Sequence, residues 1–362
     1  MKIIIAGGGT GGHLFPGIAI AEEFLKRDNT SGILFVGTKK GLEQRVLGDM
    51  GFNLHALDVE GIKGRGITKA LGALLKIPRS IIESCRLIQS FCPDIVIGVG
   101  GYASGPAVIT ARLMGIKTAI AEQNALPGIT NRILGKFVDR IFVTFPETKK
   151  WFPEKKIIAS GNPVRAAFLS GIREAEKIAD RFTLLIFGGS QGARGINTAV
   201  LDSLPYLTKI KDRLKIIHQT GSADIDSLSA HYRSHGMHAD VLPFIMDMAR
   251  AFRSADLIIC RAGATSIAEI TASGKAAILI PFPYAANDHQ TKNAEALIRA
   301  GAAVTIPEKG ISGKILAETI EKFYRHPELI REMEARSASL GNVRAAADIV
   351  DACMGLVTLR NL

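Results

Sequence analysis

One rhythm constrains this chain more than any other feature: a short β-branched run, a glycine-rich turn, then helical periodicity. Ile3-Ile4-Ile5-Ala6 runs into Gly7 to Gly12, after which Ile18, Ile20, Ala21, Phe24 and Leu25 recur at helical spacing. Ile33-Leu34-Phe35-Val36 stops at Gly37 and Ile95-Val96-Ile97 stops at Gly98; Thr118-Ala119-Ile120-Ala121 and Arg140-Ile141-Phe142-Val143 follow. Uninterrupted apolar strands alternating with helices read as a parallel sheet covered on both faces.

The pattern then restarts. Phe182 to Phe187 leads into Gly188-Gly189-Ser190-Gln191-Gly192-Ala193 and a helical stretch through Ile196, Val200 and Leu204. The segment from Asp94 through Gly100-Gly101-Tyr102-Ala103-Ser104-Gly105-Pro106 to Gly115 has a counterpart from Asp256 through Arg261-Ala262-Gly263-Ala264-Thr265-Ser266 to Gly274, the two spanning 21 and 18 residues. We expect an α/β chain of two doubly wound parallel-sheet domains, with distant copies of one supersecondary unit as the alternative. A length of 362 residues suits two domains. The turn at Gly161-Asn162-Pro163-Val164-Arg165 sets the expected division into 1–161 and 162–340. Residues 341–362 read as a terminal helix without a partner strand, placed to cross back onto the first domain.

Composition removes several classes. The chain is 47% hydrophobic and 22% charged, enough to bury full cores. The apolar run at the start is too short for a signal peptide, and no stretch of about 18 uninterrupted apolar residues occurs. Cys85, Cys92, Cys260 and Cys353 form no CxxC pair, so neither a disulfide framework nor a zinc ribbon is expected. Aromatic content of 6% is low for base-stacking modules, and no nucleic-acid partner is expected. These features read as a cytosolic, soluble chain.

The net charge of +11 is localised. Residues 1–165 carry 22 basic and 13 acidic side chains, whereas residues 166–362 carry 23 and 21. Lys63, Arg65, Lys69, Lys76, Arg79 and Arg86 face only Glu83 within 62–92. In the same segment Ile67, Leu71, Leu74, Leu75, Ile81 and Ile82 follow helical spacing, interrupted by Pro78. A basic amphipathic stretch of this kind suits an anionic membrane interface; the alternative is a helix packed on its own sheet with solvated lysines.

The glycine loops carry the candidate chemistry. Gly7, Gly9 and Gly12 spell GxGxxG between a strand and a helix, a context that favours an anion at the helix N-terminus. A nicotinamide-dependent oxidoreductase also needs an acid at the end of the second strand. Here that strand ends in Gly37-Thr38-Lys39-Lys40, with Glu43 displaced into the next segment. His13 closes the first loop as a candidate general base or, alternatively, as a capping or packing residue. In the second domain Ser190 is placed to hydrogen-bond a phosphate. Ala264, Thr265 and Ser266 open a helix, either as a phosphate site or as simple N-caps, and Glu269 lies within reach of ribose hydroxyls. The spacing of His231, His235 and His238 suits either a metal or a solvated surface, and Asp247 a loop cap. We expect neither metal nor cofactor.

These loops, in this order, resemble the MurG family of bacterial glycosyltransferases across essentially the whole chain. The matching segments are Gly8-Gly9-Thr10-Gly11-Gly12-His13 with Phe15-Pro16-Gly17, Gly100 to Pro106, Glu122-Gln123-Asn124, Gly161 to Arg165, Gly188 to Ala193, Arg261 to Glu269, and Gln290 with Asn293-Ala294. The resemblance implies a GT-B fold, two Rossmann-like domains facing across a cleft. It implies inverting transfer of N-acetylglucosamine from UDP-N-acetylglucosamine to the C4 hydroxyl of the muramoyl sugar of lipid I, giving lipid II at the cytoplasmic face of the cell membrane. It places Ser190, Ala264, Thr265 and Ser266 around the diphosphate and Glu269 on the ribose, with Ile267 and Ala268 among the substrate-binding residues. The Ile245 backbone falls on uracil, with Arg165 and Gln290 near the donor. Thr10, Gly11, Gly12 and Asn124 fall near the transferred sugar, and His13 in the place of the base. The family's glutamine pair is here His289-Gln290. Lys69, Leu71, Leu74, Leu75, Lys76 and Arg79 form the expected membrane face, and other cell-wall synthesis proteins are expected partners. A non-catalytic nucleotide-binding membrane adaptor would keep the same loops.

Overall fold

A computed structural model describes residues 1–38, 43–59, 67–169, 181–189, 191–285 and 288–358, with the backbone alone at 67–77. The chain divides into two compact units, Met1–Arg165 with Val343–Leu362, and Ala166–Asn342.

In the first unit, strands β1 (Lys2–Gly7), β2 (Gly32–Thr38), β3 (Asn53–Leu57), β4 (Ile95–Gly100), β5 (Lys117–Glu122), β6 (Arg140–Val143) and β7 (Ile157–Ile158) form one parallel sheet. Its order is β3-β2-β1-β4-β5-β6-β7. The helices are α1 (Gly11–Arg27), α2 (Glu43–Asp49), α3 (Ile67–Phe91), α4 (Ser104–Leu113) and α5 (Ile129–Leu134). The Ile-rich strands are buried on both faces: Ile3 and Ile5 look into one core with Ile18 and Phe24, while Ile4 looks into another with Val96 and Val108. That two-sided burial is why these strands read as continuous rather than alternating apolar runs.

The second unit repeats the arrangement with α6 (Ala166–Leu169), β8 (Phe182–Phe187), α7 (Arg194–Ser203), β9 (Leu214–Gln219), α8 (Ile225–Ser234), β10 (Ala239–Leu242), α9 (Met248–Ser254) and β11 (Leu257–Cys260). It continues through α10 (Ala264–Ala272), β12 (Ala277–Leu279), α11 (His289–Arg299), β13 (Val304–Thr305), α12 (Gly313–Arg325) and α13 (Pro327–Leu340). The strands again run parallel, in the order β10-β9-β8-β11-β12-β13. The last helix, α14 (Ala345–Thr358), belongs to the first unit and packs on α1. Ile349, Val350, Cys353 and Leu356 enter the core that holds Ile18 and Phe24, and Arg27 pairs with Asp351 at 2.6 Å.

One expectation changes. α3 runs through Pro78 instead of breaking there. The proline withholds one N–H from the ladder, but α3 is packed along α4, and Ser80, Ser84 and Ile88 are buried beyond the proline. Among the described residues no group of three His, Cys, Asp or Glu side chains could hold a metal; His231 Nδ1 donates to Ser227 O and His235 Nδ1 to His231 O, within the turns of α8.

A different histidine is buried. His218 in β9 lies between Tyr232 Oη at 2.9 Å and Asn197 Oδ1 at 3.2 Å, and Asn197 in turn donates to Asp224 at 2.7 Å. Burial pulls its pKa down to about 3, only weakly opposed by Asp224. The folded state therefore holds the neutral ring, while an unfolded chain takes up a proton below its ordinary pKa of about 6.5. Stability from this group is complete above that value and declines by about 1.4 kcal/mol per pH unit as pH falls toward 3. Hydrogen-exchange protection of the β9 amides should fall steeply from pH 6.5 to 4, and His218→Gln should flatten that slope. An equal slope in the variant would place the acid sensitivity elsewhere.

Candidate active site

In an open parallel sheet, ligands bind beyond the carboxyl ends of the strands, where the order of connection reverses. In the first unit that point lies between β1 and β4. The register shifts after Ala6, pairing Ala6 with Gly98 but Gly7 with Gly100, so Val99 is the extra residue. This bulge brings the loop after β4 against the loop after β1. Thr10 is the extended N-cap of α1 and makes no side-chain cap; Gly11 and Gly12 precede the first helical hydrogen bonds, from His13 and Leu14 to Thr10 O. Their N–H groups and the helix dipole favour an anion or a polar sugar.

His13, third residue of α1, is half-buried, and its ring lies on Gly100. A Cβ at Gly100 would fall 2.7 Å from His13 Cδ2, and φ there is +96°, so both space and conformation require glycine. His13 Nδ1 faces Gly8 O at 3.4 Å. Glu43, set apart in the sequence, returns to this loop: its carboxylate is buried and accepts from Gly9 N–H.

The loop after β5 is organised by Glu122, only 3% exposed. Its Oε1 accepts from the Asn124 backbone N–H at 3.0 Å and from Asn124 Nδ2 at 3.3 Å. Its Oε2 accepts from Gly128 N–H at 3.1 Å and Asn131 Nδ2 at 2.9 Å. Asn124 is thus held at a strand's carboxyl end. Arg165 lies over the Phe15 ring at 4.0 Å, beside the start of α1.

In the second unit the order reverses between β8 and β11. Ser190 lies outside the described residues; its loop neighbours Gly188, Gly189 and Gln191 to Ala193 lead into α7. Gln219, at the end of β9, has no local signature among its sequence neighbours. It donates to Gly189 O at 2.7 Å and accepts from Ile245 N–H at 2.8 Å, joining two loops that the sequence reading treats separately. The Ile245 N–H is therefore engaged within the unit.

α10 supplies the other wall. Its N-cap is Gly263, so Thr265 and Ser266 are not the caps that one reading made them. They lie in the first turn with Ala264, ahead of the first helical bond, Ile267 N–H to Gly263 O at 2.9 Å. Ile267 and Glu269 are buried and Ala268 half-buried in the same helix. Arg261 holds the preceding turn, donating to Ile280 O at 3.1 Å and pairing with Glu308, while its guanidinium lies 5.2 Å from the Phe282 ring. Gln290 accepts from Phe282 N–H at 2.9 Å, which ties α11, starting at His289, to the same turn. Cys260 is fully buried and its thiol pushed up by burial, a packing residue. Asp247 caps α9, accepting from Arg250 N–H at 2.9 Å.

The structure thus groups Thr10, Gly11, Gly12 and His13 at one switch point of the first unit, with Asn124 on a neighbouring loop. It groups Ile245, Ala264 to Glu269 and Gln290 on loops of the second. The side chains of Lys69, Leu71, Leu74, Leu75 and Lys76 lie outside the described residues; Arg79 is exposed on α3. Glu43, Glu122 and Gln219 are additions. In the sequence Glu43 stands out only as an acid displaced from the second strand and Glu122 only within a matched segment, and Gln219 carries no local signal.

The model of the glycosyltransferase family 28 N-terminal domain matches residues 3–143, and that of the family 28 C-terminal domain matches residues 183–351. A protein of Syntrophus aciditrophicus named UDP-N-acetylglucosamine--N-acetylmuramyl-(pentapeptide) pyrophosphoryl-undecaprenol N-acetylglucosamine transferase is 62% identical over 359 residues, 99% of each chain. A Myxococcus xanthus protein of the same name is 48% identical over 357 residues, 99% of this chain and 93% of its own. The crystal structure of Acinetobacter baumannii MurG matches with a TM-score of 0.76 and 33% identity, over 98% of this chain and 99% of that one. The chain belongs to glycosyltransferase family 28 and, within it, to the MurG family.

Proposed function

We propose that this chain transfers N-acetylglucosamine from UDP-N-acetylglucosamine to the C4 hydroxyl of the muramoyl sugar of lipid I, with inversion, forming lipid II. The observation that carries this is 62% identity, end to end, with a relative named for that transfer. The geometry suits the chemistry. In the first unit His13 Nε2 takes the proton from the acceptor hydroxyl as its oxygen attacks the anomeric carbon. The bond from that carbon to the phosphate oxygen breaks, and UDP departs with the electron pair. In the second unit the N–H groups of Ala264, Thr265 and Ser266 and the loop after β8, including Ser190, stabilise the charge on the leaving diphosphate. Glu269 binds the ribose, the Ile245 carbonyl accepts from uracil, and Arg165 and Gln290 contact the donor. Thr10, Gly11, Gly12 and Asn124 hold the sugar. Purified chain given labelled UDP-N-acetylglucosamine and a lipid I analogue should move label to the lipid; NADH binding without transfer would overturn the reading.

The acceptor is lipid-linked, and the first unit is proposed to dock on an anionic membrane as a peripheral protein. No described helix is long and apolar enough to cross one. Supporting this, α3, α4 and α5 pack in succession and expose Ile82, Leu113 at 76%, Ile129 at 59% and Ile133 at 54%. Arg79, Arg112, Arg132 and Lys136 are exposed on or beside the same helices. Apolar side chains ringed by cations suit an interface with acidic headgroups, each cation contributing about 1 kcal/mol. Reversing the charge of Lys69, Lys76 and Arg79 together should weaken binding to phosphatidylglycerol vesicles by at least about 100-fold at low salt. Unchanged binding would remove that segment from the membrane face.

A further inference from the structure

The Gly8–Gly9 peptide is engaged at both ends. Its N–H, on Gly9, donates to Glu43 Oε1, and its carbonyl, on Gly8, lies 3.4 Å from His13 Nδ1. In a trans peptide those two groups point in opposite directions, so carboxylate, peptide and imidazole form one chain of hydrogen bonds. Glu43 is built into place for this. It is 1% exposed, Thr38 Oγ1 approaches the same oxygen at 3.5 Å, and a Cβ at Gly8, where φ is +144°, would collide with its carboxylate.

From this chain, and resting on the reading of His13 as the base, we infer that Glu43 is a positioning residue that acts on His13 through the intervening peptide. A carbonyl oxygen can only accept, so the Nδ1 it faces carries the hydrogen and Nε2 keeps the lone pair. Donation of Gly9 N–H to an anionic carboxylate polarises the peptide and makes Gly8 O a stronger acceptor. The carboxylate therefore selects the ring tautomer and steadies its orientation without touching the ring or the substrate. Comparable outer partners of functional imidazoles are worth about 10–100-fold.

The test uses the full-length chain labelled with ¹⁵N-histidine, the His13 signals being identified by their loss in His13→Ala. At a pH where the ring is neutral, His13 should show the Nδ1–H tautomer. Glu43→Gln, close in shape but uncharged, should move both ring-nitrogen shifts toward the average of the two tautomers. It should lower kcat about tenfold and leave donor KM within about twofold. Identical shifts in the two proteins would overturn the inference, as would an Nε2–H tautomer in the unaltered chain, a result that needs no variant to fold. If the shifts move but His13→Ala turns over normally, the relay stands and the base assignment falls. If His13→Ala abolishes turnover while Glu43→Gln changes neither shifts nor kcat, the base stands and the relay falls.

Discussion

Replacing His13 by alanine is expected to lower turnover by about 10²- to 10⁴-fold, the contribution of a positioned general base. The donor KM should stay within about threefold, because the residues assigned to the nucleotide lie on other loops. The reasoning is geometric. His13 sits at a switch point, its ring lies on a glycine that no other residue could replace, and Nδ1 is turned toward a carbonyl. Steady-state kinetics with saturating acceptor analogue separate the two parameters. A large rise in donor KM with kcat intact would make His13 a binding residue, and unchanged turnover would remove it from the chemistry.

The second large effect is expected at Glu122. Glu122→Ala removes two buried acceptor oxygens, takes the partner from Asn124 N–H and Gly128 N–H, and leaves Asn131 Nδ2 with Ala121 O alone. Hydrogen bonds to a carboxylate contribute about 1.5–3 kcal/mol each, so a loss of about 3–5 kcal/mol is expected. With a urea dependence of about 2 kcal/mol/M for a domain of this size, the midpoint should fall by about 2 M. Trp151 is the only tryptophan, lies in the first unit and stacks with Arg132 at 4.3 Å, so its fluorescence reports that unit. Glu122→Gln keeps one acceptor and should lose less than half as much. Equal midpoints for the alanine variant and the unaltered chain would mean that the loop finds other partners. Turnover should fall as well, since Asn124 loses the group that holds it.

The strands and glycine loops were legible in the sequence because their signal is local. An Ile-rich run followed by glycines admits few backbone solutions, and both units contain it. Glu43 and Gln219 were not legible as structural agents, because each acts through a partner distant in the chain, whereas Glu122 acts on Asn124, Gly128 and Asn131 of its own loop. Glu43 meets Gly9 across 34 positions, and Gln219 meets Gly189 and Ile245 across 30 and 26. No periodicity reports such pairings. Thr265 and Ser266 show the converse: residues suited to capping stand in the first turn, because Gly263 already occupies the cap. Pro78 reads as a helix break by local rules, yet packing along α4 carries α3 past it.

The return of α14 to the first unit also orders events in time. Its Ile349, Val350 and Cys353 fill a core whose other members, Ile3, Ile5 and Ile18, leave the ribosome first. At about 5–20 residues per second, residues 166–342 take about 10–35 s to synthesise. Throughout that interval the nascent first unit has its strands but lacks one wall of its core. Its core is completed only after α14 has followed the second unit out of the ribosome.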